Sequence, residues 1–270
     1  AVAGGSDEQG NDVFANVFAR TSNLSYVEPL NNLTFWGAHP LHSTSKGNTV
    51  IPGGFIGFMI TSGTFMQLIP RVQFFIPALF GVLFVLFCYL LVKELFDQRL
   101  AFISAICLFF STPIWYYSSM YFNNIAAVAF FTGGTYFFLR FTKKQELNYA
   151  IPAGIFFGAT IWTRYEYAYF IAAPLLITSL FNVRTLLTRR GAIAAMIVCL
   201  AVIAFAIPIG LFNTRFFGSA EQTGYIPKTA GEWSLLTKGL FYLLPTGIQP
   251  SLFMANKPRN NRISREKTKF

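Results

Sequence analysis

Charge is scarce in this sequence. Asp, Glu, Lys and Arg make up 12% of its 270 residues, against 54% hydrophobic residues, about half the charged share of a soluble globular domain. So few charges cannot cover so apolar a chain in water, which excludes an ordinary soluble enzyme. Cysteine is scarce too. Cys88, Cys107 and Cys199 each stand alone in an apolar run, so neither a disulfide framework nor a thiolate zinc site is expected, and the three read as packing residues. Histidine is rarer still. His39 and His42 are three apart with Pro40 between them and no third ligand close in sequence, so they read as solvated or hydrogen-bonded side chains rather than metal ligands.

What is plentiful is phenylalanine, 32 residues, together with a net charge of +10. In a polar chain that charge would suggest nucleic acid. In an apolar one, basic residues mark the cytoplasmic rims of membrane spans, and no nucleic-acid partner is expected. The expected fold class is all-α, a multi-pass transmembrane helical bundle. Residues 1–10 hold no apolar signal core, so the expectation is that a leader or span has been removed, or that the chain is a fragment.

A membrane helix needs about 20 largely uncharged residues. The uncharged stretches run between Arg71 and Lys93, Arg99 and Arg140, Glu146 and Arg164, Glu166 and Arg184, and Arg190 and Arg215. The second is long enough for two helices, with a break at Pro113 and the polar run Ser118 to Asn124. Six spans follow, with cores near 73–92, 100–118, 124–140, 149–163, 166–182 and 191–212. Lys93, Arg99, Arg140, Lys143, Lys144, Arg184, Arg189 and Arg190 fall in loops on one face, whereas the alternate turns carry only Arg164. The basic face is therefore cytoplasmic.

The domain reading is an outer loop with interfacial helices over 1–70, a six-helix membrane region over 71–213, and an outer loop with a basic tail over 214–270. Residues 53–69 are also uncharged, but Pro52 and Pro70 bracket them and Thr61, Ser62, Thr64 and Gln67 interrupt them. That pattern favours an interfacial or re-entrant helix over a span. Residues 235–254 read as a seventh irregular span or a surface-lying element, because Lys238, Pro245, Gly247 and Pro250 break the apolar run.

Chemistry is sought at the outer surface. Asp7 and Glu8 precede Val13, Phe14, Val17 and Phe18, which are spaced as one face of a short helix. Carboxylates at a helix start are favoured by its positive end. Ionised at the bilayer surface, such a pair could act as a general base on a hydroxyl; the alternative is an acidic cap with a solvated face. Two sequons, Asn23-Leu24-Ser25 and Asn32-Leu33-Thr34, lie in the same segment.

The order of short motifs is more specific. Ser6-Asp7-Glu8-Gln9-Gly10 is followed by an aromatic loop, then Lys93-Glu94-Leu95-Phe96-Asp97-Gln98-Arg99, Thr112-Pro113, Tyr116-Tyr117-Ser118, Thr163-Arg164, Asn213-Thr214-Arg215-Phe216-Phe217-Gly218 and Thr223-Gly224-Tyr225. This order resembles the GT-C membrane glycosyltransferases, in the dolichyl-phosphate-mannose protein mannosyltransferase and aminoarabinose transferase branch.

The resemblance implies an inverting enzyme that moves a sugar from a polyprenyl-phosphate carrier to an acceptor hydroxyl outside the cytoplasm. It implies Asp7 as base, with Glu8 orienting donor or acceptor. Partners would be a lipid-linked sugar donor, a protein, lipid or glycan acceptor, and membrane lipid. No cofactor and no catalytic metal are expected, since Asp7-Glu8 lacks the Asp-x-Asp spacing of metal-dependent relatives. The location would be a prokaryotic plasma membrane or the endoplasmic reticulum.

A phosphate leaving group needs a cation. Arg164, alone at a span's outer end, is the first candidate; its other reading is a snorkelling arginine paired with Glu166, although residues two apart on a helix do not face each other. Arg215, Tyr225 and Lys228 in the next outer loop and Arg20 after the Asp-Glu helix are further candidates. Tyr116, Tyr117 and Tyr121 are the aromatics expected to touch carrier or sugar. The aminoarabinose branch carries a Lys-Pro-Pro segment where this chain reads Val50-Ile51-Pro52-Gly53-Gly54, so another cation must replace that lysine.

Family members are longer, so the chain reads as an N-terminal catalytic half. The rivals are a transporter, whose midplane would carry polar or broken helices where these spans are nearly free of charge, and a structural membrane subunit. The face assignment is directly measurable. With the native cysteines replaced by alanine, single cysteines at Lys144 and Ser119 should label from opposite sides of sealed vesicles; labelling from the same side would reject it.

Overall fold

The computed structural model describes residues 6–29, 43–69, 71–168, 171 and 187–220. The chain opens with helix α1, Ser6–Thr21. A small antiparallel sheet follows, β1 Tyr26–Val27, β2 Ser43–Lys46 and β3 Thr49–Pro52, in the order β1-β3-β2. Lys46 pairs with Thr49 across a two-residue loop, and Gly47 takes φ 60° there, as primed hairpin turns require of their first residue. The helices expected in this segment are present, but the sheet is a finding. Its signal was the Lys-Gly-Asn turn ahead of the β-branched run Thr49-Val50-Ile51.

Helix α2, Ile56–Leu68, has 13 residues, too few to cross a bilayer. Its first half is buried: Ile56, Gly57, Phe58, Met59, Ser62 and Gly63 turn inward. Gly63 lets α1 come close, since a Cβ there would lie 2.7 Å from the Ala15 carbonyl oxygen. Phe14 of α1, Val50 of β3 and Met59 of α2 share one core, so the first 70 residues hold a small packed unit rather than separate surface helices.

Helix α3, Ile76–Leu95, starts with Pro77 in its first turn, where its missing N–H costs nothing. It ends at a reversal capped by Asp97, whose Oδ1 accepts from the Arg99 and Leu100 amides at 2.7 and 2.9 Å. Helices α4, Gln98–Phe109, and α5, Thr112–Ser119, are bent from one another by 57°, because Pro113 has no N–H to bond the carbonyl four residues back and its ring would clash there, so the chain breaks at extended Ser111 and Pro113 starts a new helix. Helix α6 is Asn123–Lys144, α7 is Ala150–Thr163 after a 3-10 turn at Leu147–Tyr149, and α8 is Arg189–Phe217.

Among the described residues, three helical stretches are long and apolar enough to cross a membrane: Val72–Leu95, α6 and α8. The bent pair α4–α5 is a fourth if it counts as one span. Of the six expected spans, 149–163 is the 14-residue α7, and 166–182 lies almost wholly outside the described residues. The outer faces of α3, α4 and α8 are apolar, with Leu79, Val82, Phe102, Ile103, Leu200 and Ile207 exposed, as lipid-facing helices require. Cys107 and Cys199 are exposed among them and only Cys88 is half-buried, which corrects their reading as packing residues.

All described residues fall in one unit of the chain, residues 1–227. Within it α7 packs between α6 and α8, and α3 packs on α6. The helix directions give the bundle two ends. At one, Arg140 of α6 meets Glu94 of α3 at 2.7 Å, joined by Lys143 at 3.5 Å and the Tyr149 hydroxyl at 3.3 Å. The opposite end holds α1, the sheet, α2, the turn 120–122 and the end of α7. Gly57 sets the closest contact there, since a Cβ at this position would lie 1.9 Å from the Trp162 carbonyl oxygen. Gly57→Ala should therefore lower stability by about 1–3 kcal/mol through overpacking, read as a fall in melting temperature in detergent; an unchanged melt would show that α2 and α7 are not in this contact.

Candidate functional site

The polar residues at the α1–α2 end come from four elements. Asn11 of α1 is buried, and its Nδ2 donates to the Tyr121 carbonyl at 3.3 Å. Asp12, the next residue, is half-buried, and its Oδ1 accepts from Asn16 Nδ2 at 3.1 Å. Tyr121 is only 2% exposed and Ser62 of α2 is fully buried. Their hydroxyls neighbour each other and Asp12, yet neither makes a hydrogen bond of good geometry. Burial pushes the Asp12 carboxyl above the ordinary aspartate range, against a smaller downward pull from Asn16. It pushes the Tyr121 phenol up as well.

Beside this cluster α6 begins and α7 ends. Asn123 Nδ2 donates to the Thr163 carbonyl at 3.4 Å. Arg164 then leaves the helix with φ −150° and ψ 99°, and Tyr165–Tyr167 form a 3-10 turn. Arg164 is therefore not on a helix with Glu166, and the objection to their pairing falls away: Nη2 meets Glu166 Oε2 at 2.9 Å. Its Nη1 donates to Asn124 Oδ1, and its guanidinium lies 4.6 Å from the centre of the Phe55 ring, which itself stacks on Tyr165. The Nε is buried without a partner. The Arg164 and Glu166 side chains keep 21% and 31% exposure.

The remaining expected residues are dispersed. Asp7 and Glu8 stand in the first turn of α1, at helical positions one turn before Asn11 and Asp12; only their backbone is described. Arg20 is exposed in the last turn of α1, about 20 Å along the axis from Asp7, and does not join them. Arg215 is in the last turn of α8, exposed over the Phe216 ring. It is not in a loop, because the helix continues until Gly218, at φ 95°, closes it. Lys46 of β2 donates its Nζ to the Phe216 carbonyl and ties the hairpin to that helix end. Tyr225, Lys228, His39, His42 and the sequon at Asn32 lie outside the described residues; the Asn23 sequon is exposed. Tyr121 is core, tilted against Phe58 at 5.3 Å, which corrects its reading as a carrier contact, whereas Tyr116 stays exposed.

A family model described as dolichyl-phosphate-mannose-protein mannosyltransferase matches residues 57–208, more than half of the chain. The chain belongs to this family. It is thus a membrane glycosyltransferase of the GT-C kind, mannosyltransferase-like in type. The match runs from α2 into α8 and so includes Arg164, Glu166 and the Asn123-Asn124 pair, while Asp7 and Glu8 precede it. No curated protein and no solved structure matches the chain.

Sequence reasoning passed over Asn11, Asp12 and Ser62. Asn11 and Asp12 are neighbours in a helix rich in polar residues, and Ser62 is one of several hydroxyl residues in α2, so composition did not single them out; packing decides which of them turn inward. The raised Asp12 pKa has a thermodynamic consequence. The folded state binds this proton more tightly than the unfolded chain, so the contribution of Asp12 is most favourable at low pH and is lost as pH rises through the raised value. Asp12→Asn should therefore raise the melting temperature at pH 7, with the gain shrinking as pH is lowered towards 4; a gain independent of pH would reject the desolvated carboxylate.

Proposed function

We propose that this chain transfers a sugar from a polyprenyl-phosphate carrier to an acceptor hydroxyl on the non-cytoplasmic side of the membrane, with inversion at the anomeric carbon. The observation that carries the reading is the placement, at one bundle end, of a half-buried arginine, held by Asn124, and of the polar cluster around Tyr121, three residues earlier, that lies one helical turn beyond Asp7 and Glu8. The opposite end holds Lys93, Arg99, Arg140, Lys143, Lys144, Arg189 and Arg190. Basic loops stay cytoplasmic, which supports an external position for the site. The same grounds support the segment 1–70 as an outer unit and 71–213 as the membrane region; 214–270 is read as an outer loop with a possible further span, because the same rule assigns its basic tail, Lys257 to Lys269, to the cytoplasm.

In this reading Asp7 takes the acceptor proton as the hydroxyl oxygen attacks the anomeric carbon. The bond to the carrier phosphate breaks with its electron pair leaving on phosphate. Glu8 orients donor or acceptor. Arg164 offers the departing phosphate a fixed cation in a site of restricted water, where such contacts are strong. Arg215, and beyond the described residues Tyr225 and Lys228, are secondary candidates for the headgroup, and Arg20 is the weakest on its distance. The donor is a lipid-linked sugar, the acceptor a protein, lipid or glycan, and the setting a prokaryotic plasma membrane or the endoplasmic reticulum.

A silent structural role has one observation in its favour, the neutralisation of Arg164 by Glu166. Two variants separate the readings. Asp7→Asn should reduce transfer by at least about 100-fold, the scale of a lost general base, with donor binding retained. Arg164→Ala should weaken donor binding more than acceptor binding. Undiminished transfer by the first would reject the base, and equal donor affinity in the second would reject the phosphate contact.

A further inference from the structure

The Nε and Nη2 of an arginine form one edge that binds a carboxylate or phosphate through two parallel hydrogen bonds. At Arg164 that edge is half used. Glu166 accepts from Nη2 at 2.9 Å, while Nε is buried and unpaired. The other donor group, Nη1, is directed to a neutral amide oxygen of Asn124, and the guanidinium face rests on Phe55. The head is thus held in place by two neutral neighbours and one anion. Of these the anion has a way out, since the Glu166 side chain stands on a single 3-10 turn and is 31% exposed to solvent. An unpaired buried donor is costly, so a ligand able to engage both Nε and Nη2 has an advantage over Glu166.

We propose that Glu166 is a built-in competitor for the phosphate of the lipid carrier: it occupies the arginine edge when the site is empty, swings away when two phosphate oxygens take that edge, and returns to help expel the phosphate afterwards. The inference rests on Arg164 as the phosphate contact and adds a specificity-determining role for its partner. A carboxylate in this position sets a threshold. A neutral or singly contacting headgroup does not displace it, whereas a phosphate offering two acceptor oxygens does.

The sign of the effect separates this role from a structural one. If Glu166 only held Arg164 in place, its removal would weaken phosphate binding; as a competitor, its removal strengthens it. Full-length protein in nanodiscs of neutral lipid is titrated with decaprenyl phosphate, comparing wild type, Glu166→Gln, Glu166→Ala and Arg164→Ala. Gln can still accept from Nη2, so Glu166→Gln keeps the geometry without the charge. Both Glu166 variants should bind about fivefold tighter than wild type, the scale of one partly exposed ion pair. The thermal shift induced by decaprenyl phosphate should be larger than in wild type, and Arg164→Ala should lose binding.

Unchanged or weaker binding by both Glu166 variants, with binding still lost in Arg164→Ala, overturns the competitor role and leaves the phosphate contact standing. Full binding by Arg164→Ala overturns both. If one Glu166 variant fails to fold, the other carries the same comparison.

Discussion

Arg164 lies where α7 runs out. That helix has 14 residues, against 22 in α6 and 29 in α8 on either side of it, and it gives way to the 3-10 turn Tyr165–Tyr167. At this point the guanidinium reaches Asn124 at the start of α6, Glu166 in that turn and the Phe55 ring at the start of α2. A charge half-buried at the end of an apolar bundle is tolerated where partners replace the water it loses. Here the partners come from three separate parts of the sequence, so one cation fixes the relative positions of the elements around the polar cluster.

Much of this was legible because membrane helices leave a coarse imprint. Charges collect at helix ends, and the stretches between Arg71 and Lys93 and between Arg190 and Arg215 map directly onto α3 and α8. Pro113 marked the break between α4 and α5 for the same steric reason that it makes one. The order of short motifs led to the family, and residues 57–208 match its model.

Less could be read where tertiary contact decides. The pairing of Arg164 with Glu166 stands in the sequence as one of two readings, with helical spacing against it, and the structure makes the pair because the helix ends first. The hairpin at residues 43–52 was missed in a segment read for helices, and the inward positions of Asn11, Asp12 and Ser62 depend on how closely α1 and α2 approach. Tyr121, in a turn rich in aromatics, looked like surface and is core, because Phe58 of α2 covers it.

The bend between α4 and α5 bears on the surrounding lipid. The C-terminal end of α5 lies against the beginning of α3, where Ser118 faces Gly81, so the elbowed pair accompanies straight α3 along most of its length. Bent by 57°, it reaches less far across hydrocarbon than an unbroken helix of equal residue count. Acyl chains beside it must shorten their profile to match, at a modest cost per ångström. Counted as one span, the elbowed pair thus presents a shorter apolar height than the 29-residue α8 on the other side of the bundle, and the two flanks ask for hydrocarbon of different thickness.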